Sequence, residues 1–361
     1  MNEQNARISD CRIRPVMAPL EMPHKTASGT LEAAPLVLID LIADDGVVGS
    51  TYIFAYTPMA LEPLAALSKN IATSLVGETA EPVAVSALLD ARFRLLGNQG
   101  LVAMAISGID MALWDAAAKR EEKPLCLLLG GKAGPVRVYD SLGQMGPDET
   151  ARVVEASLKR GFQAFKIKAG HPDPKTDVAV VRSIRNVAGK DVWVAADFNQ
   201  AFDVEEAVRR MNMLDEEGLA WIEEPVHASD YQGHAAVRAA IQTPVQTGEN
   251  WWGVPDMKKA VAANASDLAM PDVMKIGGVT GWRAAASLAD EASLPIASHL
   301  FVEISAHLLN ATPTAMILEW FDIAGTITTS TPEISDGHAM PSQVPGAGIL
   351  WDEGAIEKIL A

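Results

Sequence analysis

The 361-residue sequence predicts an α/β protein in which a (β/α) barrel follows an N-terminal α+β domain. Three observations carry that prediction. After Pro135 short β-rich runs alternate with helical stretches, and parallel strands need such crossover helices. Eight of these runs occur, which is the number that closes a barrel. Residues before about 132 have another texture, a β-hairpin followed by helical spacing. The division reads as 1–132, 133–320 for the barrel, and a C-terminal segment 321–361.

Each element has its own signal. Residues 8–18 and 34–54 are β-rich, and Asp45–Gly46 supplies a hairpin turn between the two arms of VLIDLIADDGVVGSTYI. Apolar spacing of three and four predicts helices over 57–77, 82–96 and 100–120. Pro124 and the segment LLLGGKAGP then mark a boundary. The barrel strands are read in VRVYDS, AFKIKAG, VWVAADFN, LAWIEE, PVQTGEN, DLAMPD, PIASH and MILEW.

Composition excludes several function classes. Apolar residues make up 49% and charged residues 21%, which is enough apolar material for a core and argues against disorder. Acidic residues outnumber basic ones 46 to 29, for a net charge of −17. That field repels phosphate backbones and anionic lipid, so neither nucleic acid nor a membrane surface is expected as a partner. Cys11 and Cys126 make no disulfide framework or metal-spaced cluster. The N-terminus lacks the apolar run of a signal peptide, and APLVLIDLIA is too short to span a bilayer. A cytoplasmic protein is expected.

Chemistry-bearing residues recur at the strand ends: Ser141, Lys168, Asp197, Glu223, Glu249, Asp272, His299 and Glu319, spaced 20 to 29 residues apart. In a barrel they share the C-terminal mouth, where active sites of this architecture lie. Asp197, Glu223 and Glu249 are three carboxylates on successive strands. Such a set suits a hard divalent cation, Mg2+ first with Mn2+ as a substitute. By strand alternation Glu224 points to the opposite face, as support or as a further ligand. Asn199 follows Asp197 on the same side and is placed for a substrate hydroxyl. Lys166 and Lys168 both point inward, and two ammonium groups in one cavity lower each other's pKa, which suits a base.

Asp272 and His299 form a dyad in which the carboxylate raises the basicity of the imidazole. His307 reads as structural. Glu319 is expected to have a pKa raised by burial, so that it donates a proton. A carboxylate's α-hydrogen needs both a metal and an acid to stabilise the resulting enolate. Two bases, Lys168 and His299, on opposite faces of such an enolate imply racemisation. The glycines of KIGGVTG lack dinucleotide spacing and are set aside.

At this point the chain resembles the enolase superfamily, and within it the mandelate racemase/muconate lactonizing enzyme family. The resemblance rests on PLVLIDL, FAYTP, GIDMALWDA, WIEEP, GENW, LAMPDVMKIGGVTGW and SHLFVEISAHLLNATPTA. It implies a capping N-terminal domain, a modified TIM barrel and a C-terminal segment returning to the cap. It also implies magnesium on Asp197, Glu223 and Glu249, with Lys168 as base for the S-enantiomer and Lys166 lowering its pKa. His299 with Asp272 would serve the R-enantiomer, and Glu319 would be the electrophilic acid. Ser141 and Asn199 would contact the substrate's carboxylate and hydroxyl, in a homo-oligomer such as a dimer or octamer.

The cap departs from the family pattern. LEMPHKTASGTL matches the specificity loop, with His24 and Ser28 at two apolar places and Leu31 at a third. Phe54, Tyr56 and Phe321 supply aromatic area, for substrate contact or for packing between domains. The reading is a racemase of mandelate or a similar bulky 2-hydroxy acid. The alternative is an acid-sugar dehydratase on the same site, and a non-catalytic binding relative is a third.

Overall fold

The computed structural model describes residues 6–26 and 29–360. Strands β1 (Ile8–Thr26), β2 (Gly29–Ala43) and β3 (Val48–Phe54) form an antiparallel sheet in that order. The turn at Asp45–Gly46 is as expected, with Gly46 at φ +83°, a conformation glycine adopts without steric cost. The first strand runs eight residues past the expected 8–18, because β1 and β2 pair again beyond an irregularity. Pro19 pairs with Ala33 and His24 with Leu31, so Leu20–Pro23 bulge opposite the single residue Glu32.

Of helices Pro58–Ser74, Pro82–Arg92 and Leu101–Arg120, the first and third pack on this sheet, and the second packs on the third. The second is shorter than the spacing suggests and ends at Arg92. The third is long and apolar enough to cross a bilayer, but its residues are buried inside the protein. Its close approach explains Gly49, where an added Cβ would lie 1.9 Å from the Ala112 carbonyl oxygen.

The barrel strands are β4 (Val136–Ser141), β5 (Ala164–Lys168), β6 (Trp193–Asp197), β7 (Ile222–Glu223), β8 (Val245–Thr247), β9 (Leu268–Ala269), β10 (Ile296–Ala297) and β11 (Ala315–Trp320). All neighbouring pairs are parallel, and β11 pairs with β4 to close the ring. Every expected run supplies one strand. The interior is filled by a buried cluster that includes Tyr139, Trp221, Met270 and Ile317, as a packed barrel requires.

Strands β12 (Glu333–Ser335) and β13 (His338–Met340) form a hairpin that adds to β4. The chain then returns to the N-terminal sheet. Trp351 Nε1 donates to Asp40 at 2.8 Å, and Glu353 pairs with Arg12 and Arg14. The sheet unit also docks directly on the barrel side: Tyr52 donates to Glu303 at 2.7 Å, and Trp114 donates to Thr280 at 2.9 Å.

Candidate active site

Strand geometry delivers the predicted side chains to one mouth. Asp197, Glu223 and Glu249 are buried, and each presents an oxygen within 4.8 Å of the others. Asp197 and Glu223 end adjacent strands in register. Glu249 stands two residues beyond β8, after Gly248, where an added Cβ would lie 2.9 Å from the Met270 amide. Trp221 Nε1 donates to Glu223 at 3.0 Å, and the backbone and side-chain amides of Asn199 both donate to Asp197. Asn199 thus braces a carboxylate; its left-handed backbone (φ 43°) turns it there.

The cluster fits a divalent cation by its own chemistry. Glu249 Oε2 is buried and accepts no hydrogen bond among the described residues. Burial and the negative charge of Asp197 push Glu223 well above the usual carboxylate range. Three buried carboxylates repel one another unless a cation joins them, and oxygen donors of this kind select hard ions.

Lys166 is buried, 2.8 Å from Glu223 and 2.6 Å from Glu319. Lys168 pairs with Asp197. Lys166 does push the pKa of Lys168 down, as the sequence suggests, but the expected net lowering does not result. Burial and Lys166 push Lys168 down, but Asp197, Glu249 and Glu223 outweigh them and raise it. A cation among those carboxylates would remove part of that opposing field.

Glu319 also departs from expectation. Burial raises its pKa, but Lys166, His299 and Lys168 outweigh burial and hold it far below the usual range. It is an ionised acceptor here, receiving Ser141 Oγ at 2.9 Å and the Leu300 amide at 2.9 Å. Ser141 is therefore spent on Glu319.

His299 Nδ1 contacts Asp272 Oδ2 at 2.6 Å, and its Nε2 faces Glu249 at 3.3 Å. Burial works against the imidazolium, but Glu249, Glu319 and Asp272 more than offset it and raise the pKa. The amides of Met274 and Lys275 hold the other Asp272 oxygen. Leu300 and Phe301, just past His299, are left-handed at φ 52° and 50°. This is an unfavourable conformation that points the Leu300 N–H at Glu319.

Lys168 on β5 and His299 past β10 stand across the mouth from each other, with β4 and β11 between them on the shorter way round. His24 reaches the same region, and its ring stacks on Phe321 at 4.2 Å. Burial, reinforced by Lys168, lowers its pKa to about 4, so the ring is neutral. Leu31 pairs with His24 across the hairpin and packs against the core. Phe54 is buried, and Tyr56 lies over it with its hydroxyl 3.5 Å from Asp272. Ser28 lies outside the described residues.

Three residues escape the strand-end pattern. Glu224 was expected on the opposite face, but at φ 37° it leaves the strand geometry, and its Oε2 accepts from Asn250 at 2.7 Å. Asn250 also donates to Glu249 at 3.1 Å and accepts from Lys275 at 2.7 Å. Lys275 is buried, with its ammonium 4.5 Å from the Tyr56 ring centre. The sequence names Glu224 but on the other face, whereas Asn250 and Lys275 appear only within GENW and MKIGG, and neither segment has a spacing that assigns them a place.

Two family profiles match the chain: the mandelate racemase/muconate lactonizing enzyme N-terminal domain over residues 8–130, and the enolase C-terminal domain-like family over 149–355. A solved enolase from Bradyrhizobium, complexed with magnesium and mandelic acid, is 45% identical, with a TM-score of 0.96 over 99% of both chains. L-Talarate dehydratase from Polaromonas sp. JS666, complexed with Mg and L-glucarate, is 30% identical with a TM-score of 0.89, covering 98% of this chain and 97% of its own. The L-talarate/galactarate dehydratase of Salmonella typhimurium is 31% identical over 331 residues, 90% of this chain and 82% of its own. With both domains matched and the carboxylates gathered at the barrel mouth, the chain belongs to the mandelate racemase/muconate lactonizing enzyme family of the enolase superfamily.

Proposed function

We propose that the protein is a magnesium-dependent racemase of 2-hydroxy carboxylates carrying a bulky, aromatic C2 substituent. The observation that carries this reading is the pair of bases, Lys168 and the Asp272–His299 dyad, on opposite sides of one carboxylate cluster. Magnesium on Asp197, Glu223 and Glu249 would supply Lewis-acid stabilisation of the enolate's charge. Lys168 takes the α-proton from one face and His299 returns one to the other, or the reverse. Asp272 fixes the tautomer that leaves Nε2 facing the mouth. The arriving substrate carboxylate adds negative charge beside Glu319, which raises that group's pKa and prepares it to hold a proton.

The C2 substituent is argued from the wall. Lys25 is engaged by Glu149 at 2.9 Å, and neutral His24 lies flat on Phe321. That leaves aromatic area where a polyol would need several polar partners. Acid-sugar dehydration is the second reading, supported by the talarate/galactarate dehydratase relatives. In it Lys168 or His299 removes the α-proton and His299 protonates the departing β-hydroxyl.

Proton NMR in deuterated water, with magnesium and each mandelate enantiomer separately, tests the choice. Exchange of the α-proton and loss of optical rotation from both enantiomers is the expected result. No exchange from either, with magnesium bound, rejects the aryl racemase, and an acid-sugar panel screened for 2-keto-3-deoxy products then tests the second reading.

A further inference from the structure

The barrel-side helix Gly278–Glu291 cannot cap its own N-terminus. Its N-cap residue is Gly277, which has no side chain to accept the free amides of the first turn. Asp110, in the middle of the N-terminal domain's helix Leu101–Arg120, does this instead. The buried carboxylate accepts the Thr280 amide at 2.9 Å on one oxygen and the Thr280 hydroxyl on the other. Trp114, one turn further along the same helix, donates to that hydroxyl at 2.9 Å.

The glycines of KIGGVTG make room for this joint. A Cβ on Gly278 would lie 2.3 Å from Asp110 Oδ2. Gly277 and Gly278 are also left-handed, at φ 108° and 69°, where a side chain would be strained. Two segments far apart in the chain, GIDMALWDA and KIGGVTG, thus meet as one contact between the domains.

The joint lies close to one catalytic base. Asp272 is the N-cap of the short helix Val273–Ile276, which runs through Gly277 directly into the helix that Asp110 caps. One Asp272 oxygen accepts the Met274 and Lys275 amides at 2.7 and 3.2 Å, and the other holds His299 Nδ1 at 2.6 Å. The orientation of that short helix therefore sets the orientation of the dyad. The N-terminal domain bears on it a second time, where the Phe54 amide meets Met274 Sδ at 3.3 Å. Tyr52, two residues earlier on β3, grips the helix that follows His299. Lys168, by contrast, ends β5 across the mouth and pairs with Asp197.

We propose that Asp110 is a positioning residue for the Asp272–His299 dyad. By capping the helix at Thr280 it fixes the short helix that orients Asp272, and through it the aim of the His299 ring. This rests on the racemase reading and deepens it: docking of the N-terminal domain sets one of the two bases and leaves the other alone.

The test is Asp110→Ala at saturating magnesium, with α-proton exchange followed for each mandelate enantiomer separately. Misplacing a reacting group by a fraction of its working distance costs roughly tenfold to a hundredfold. R-exchange, which uses His299, should fall by that factor while S-exchange stays near wild type. Asp110→Asn keeps an acceptor for the Thr280 amide and should recover part of the loss. Equal loss from both enantiomers, as a merely structural role would give, overturns the proposal, and so does no loss from either. A second readout needs no turnover. The downfield proton resonance of the His299–Asp272 hydrogen bond, identified by its absence in His299→Asn, should shift or broaden in Asp110→Ala. If wild type exchanges neither enantiomer, the racemase reading fails and this resonance alone decides: a change supports the positioning role, and an unchanged signal overturns it. Thr280→Val, which removes the hydroxyl and keeps the amide, repeats both measurements if Asp110→Ala does not fold.

Discussion

Lys275 ends no strand, yet it reaches the carboxylate cluster through one intermediary. Its ammonium donates to Asn250, which donates to both Glu224 and Glu249. A group that orients a metal ligand in this way changes metal affinity by about 10–100-fold when removed. Lys275→Met should weaken magnesium binding by that factor in a calorimetric titration of the metal-free protein, and Lys275→Arg should recover part of it. Unchanged affinity in Lys275→Met would remove the residue from this role. At His299 the prediction concerns stereochemistry. His299→Asn keeps a polar group beside Asp272 but loses the base. Exchange of the R-enantiomer's α-proton should fall by about 10²–10⁴, the contribution of one general base, while S-exchange stays measurable. Equal loss from both enantiomers would count against separate bases.

The helix Val302–Asn310 shows how an element positions a site from behind. It begins directly after the left-handed pair Leu300–Phe301, so the turn that exposes His299 also starts the helix. Its Glu303 receives the Tyr52 hydroxyl and so ties the helix to the N-terminal sheet. Its His307 is buried, accepts the Cys126 amide at 3.4 Å, and has its pKa lowered by burial to about 4. Because the folded value lies below the ordinary 6.5, this group costs nothing above about pH 6.5. Between 6.5 and 4 the unfolded chain binds a proton that the folded one refuses, and stability is lost as pH falls. The loss is roughly 2 kcal/mol by pH 5. His307→Gln removes this contribution, so urea unfolding should show the wild-type advantage over the variant shrinking by that amount between pH 7 and 5. A pH-independent difference would show that His307 carries no such penalty.

The whole molecule is closed by a contact between its two ends. Asp40, buried in β2, accepts Arg12, Arg14, Ser50 and Trp351, joining the N-terminal sheet to the returning C-terminal segment. Asp40→Ala leaves the Trp351 N–H without its partner and the largely buried Arg14 with Glu353 alone. Removing one member of a buried ion pair costs about 3 kcal/mol. Part of Arg12 is in water and contributes little of that. The expected outcome is a lower thermal midpoint together with faster proteolysis of the segment after Ile349. A lower midpoint with unchanged proteolysis would mean that the C-terminal segment is held by other contacts.

The barrel and its mouth were legible in the chain because their signals are local. A β-rich run followed by a helical run states its own secondary structure, and the strand period sends Lys166 and Lys168 inward together. Chain spacing alone sufficed to gather Asp197, Glu223 and Glu249, since eight parallel strands place their ends on one rim. What only the tertiary structure decided are the features that depend on backbone leaving those periods, or on charges meeting. The positive φ at Glu224 brings it to the rim against strand alternation, and the bulge at Leu20–Pro23 makes an arm where alternation would continue. The pKa directions of Lys168 and Glu319 reversed for the same physical reason. A sequence displays a lysine beside a lysine and an acid due for burial. Which opposite charges come within 3 Å of them is settled only when distant strands close into a ring.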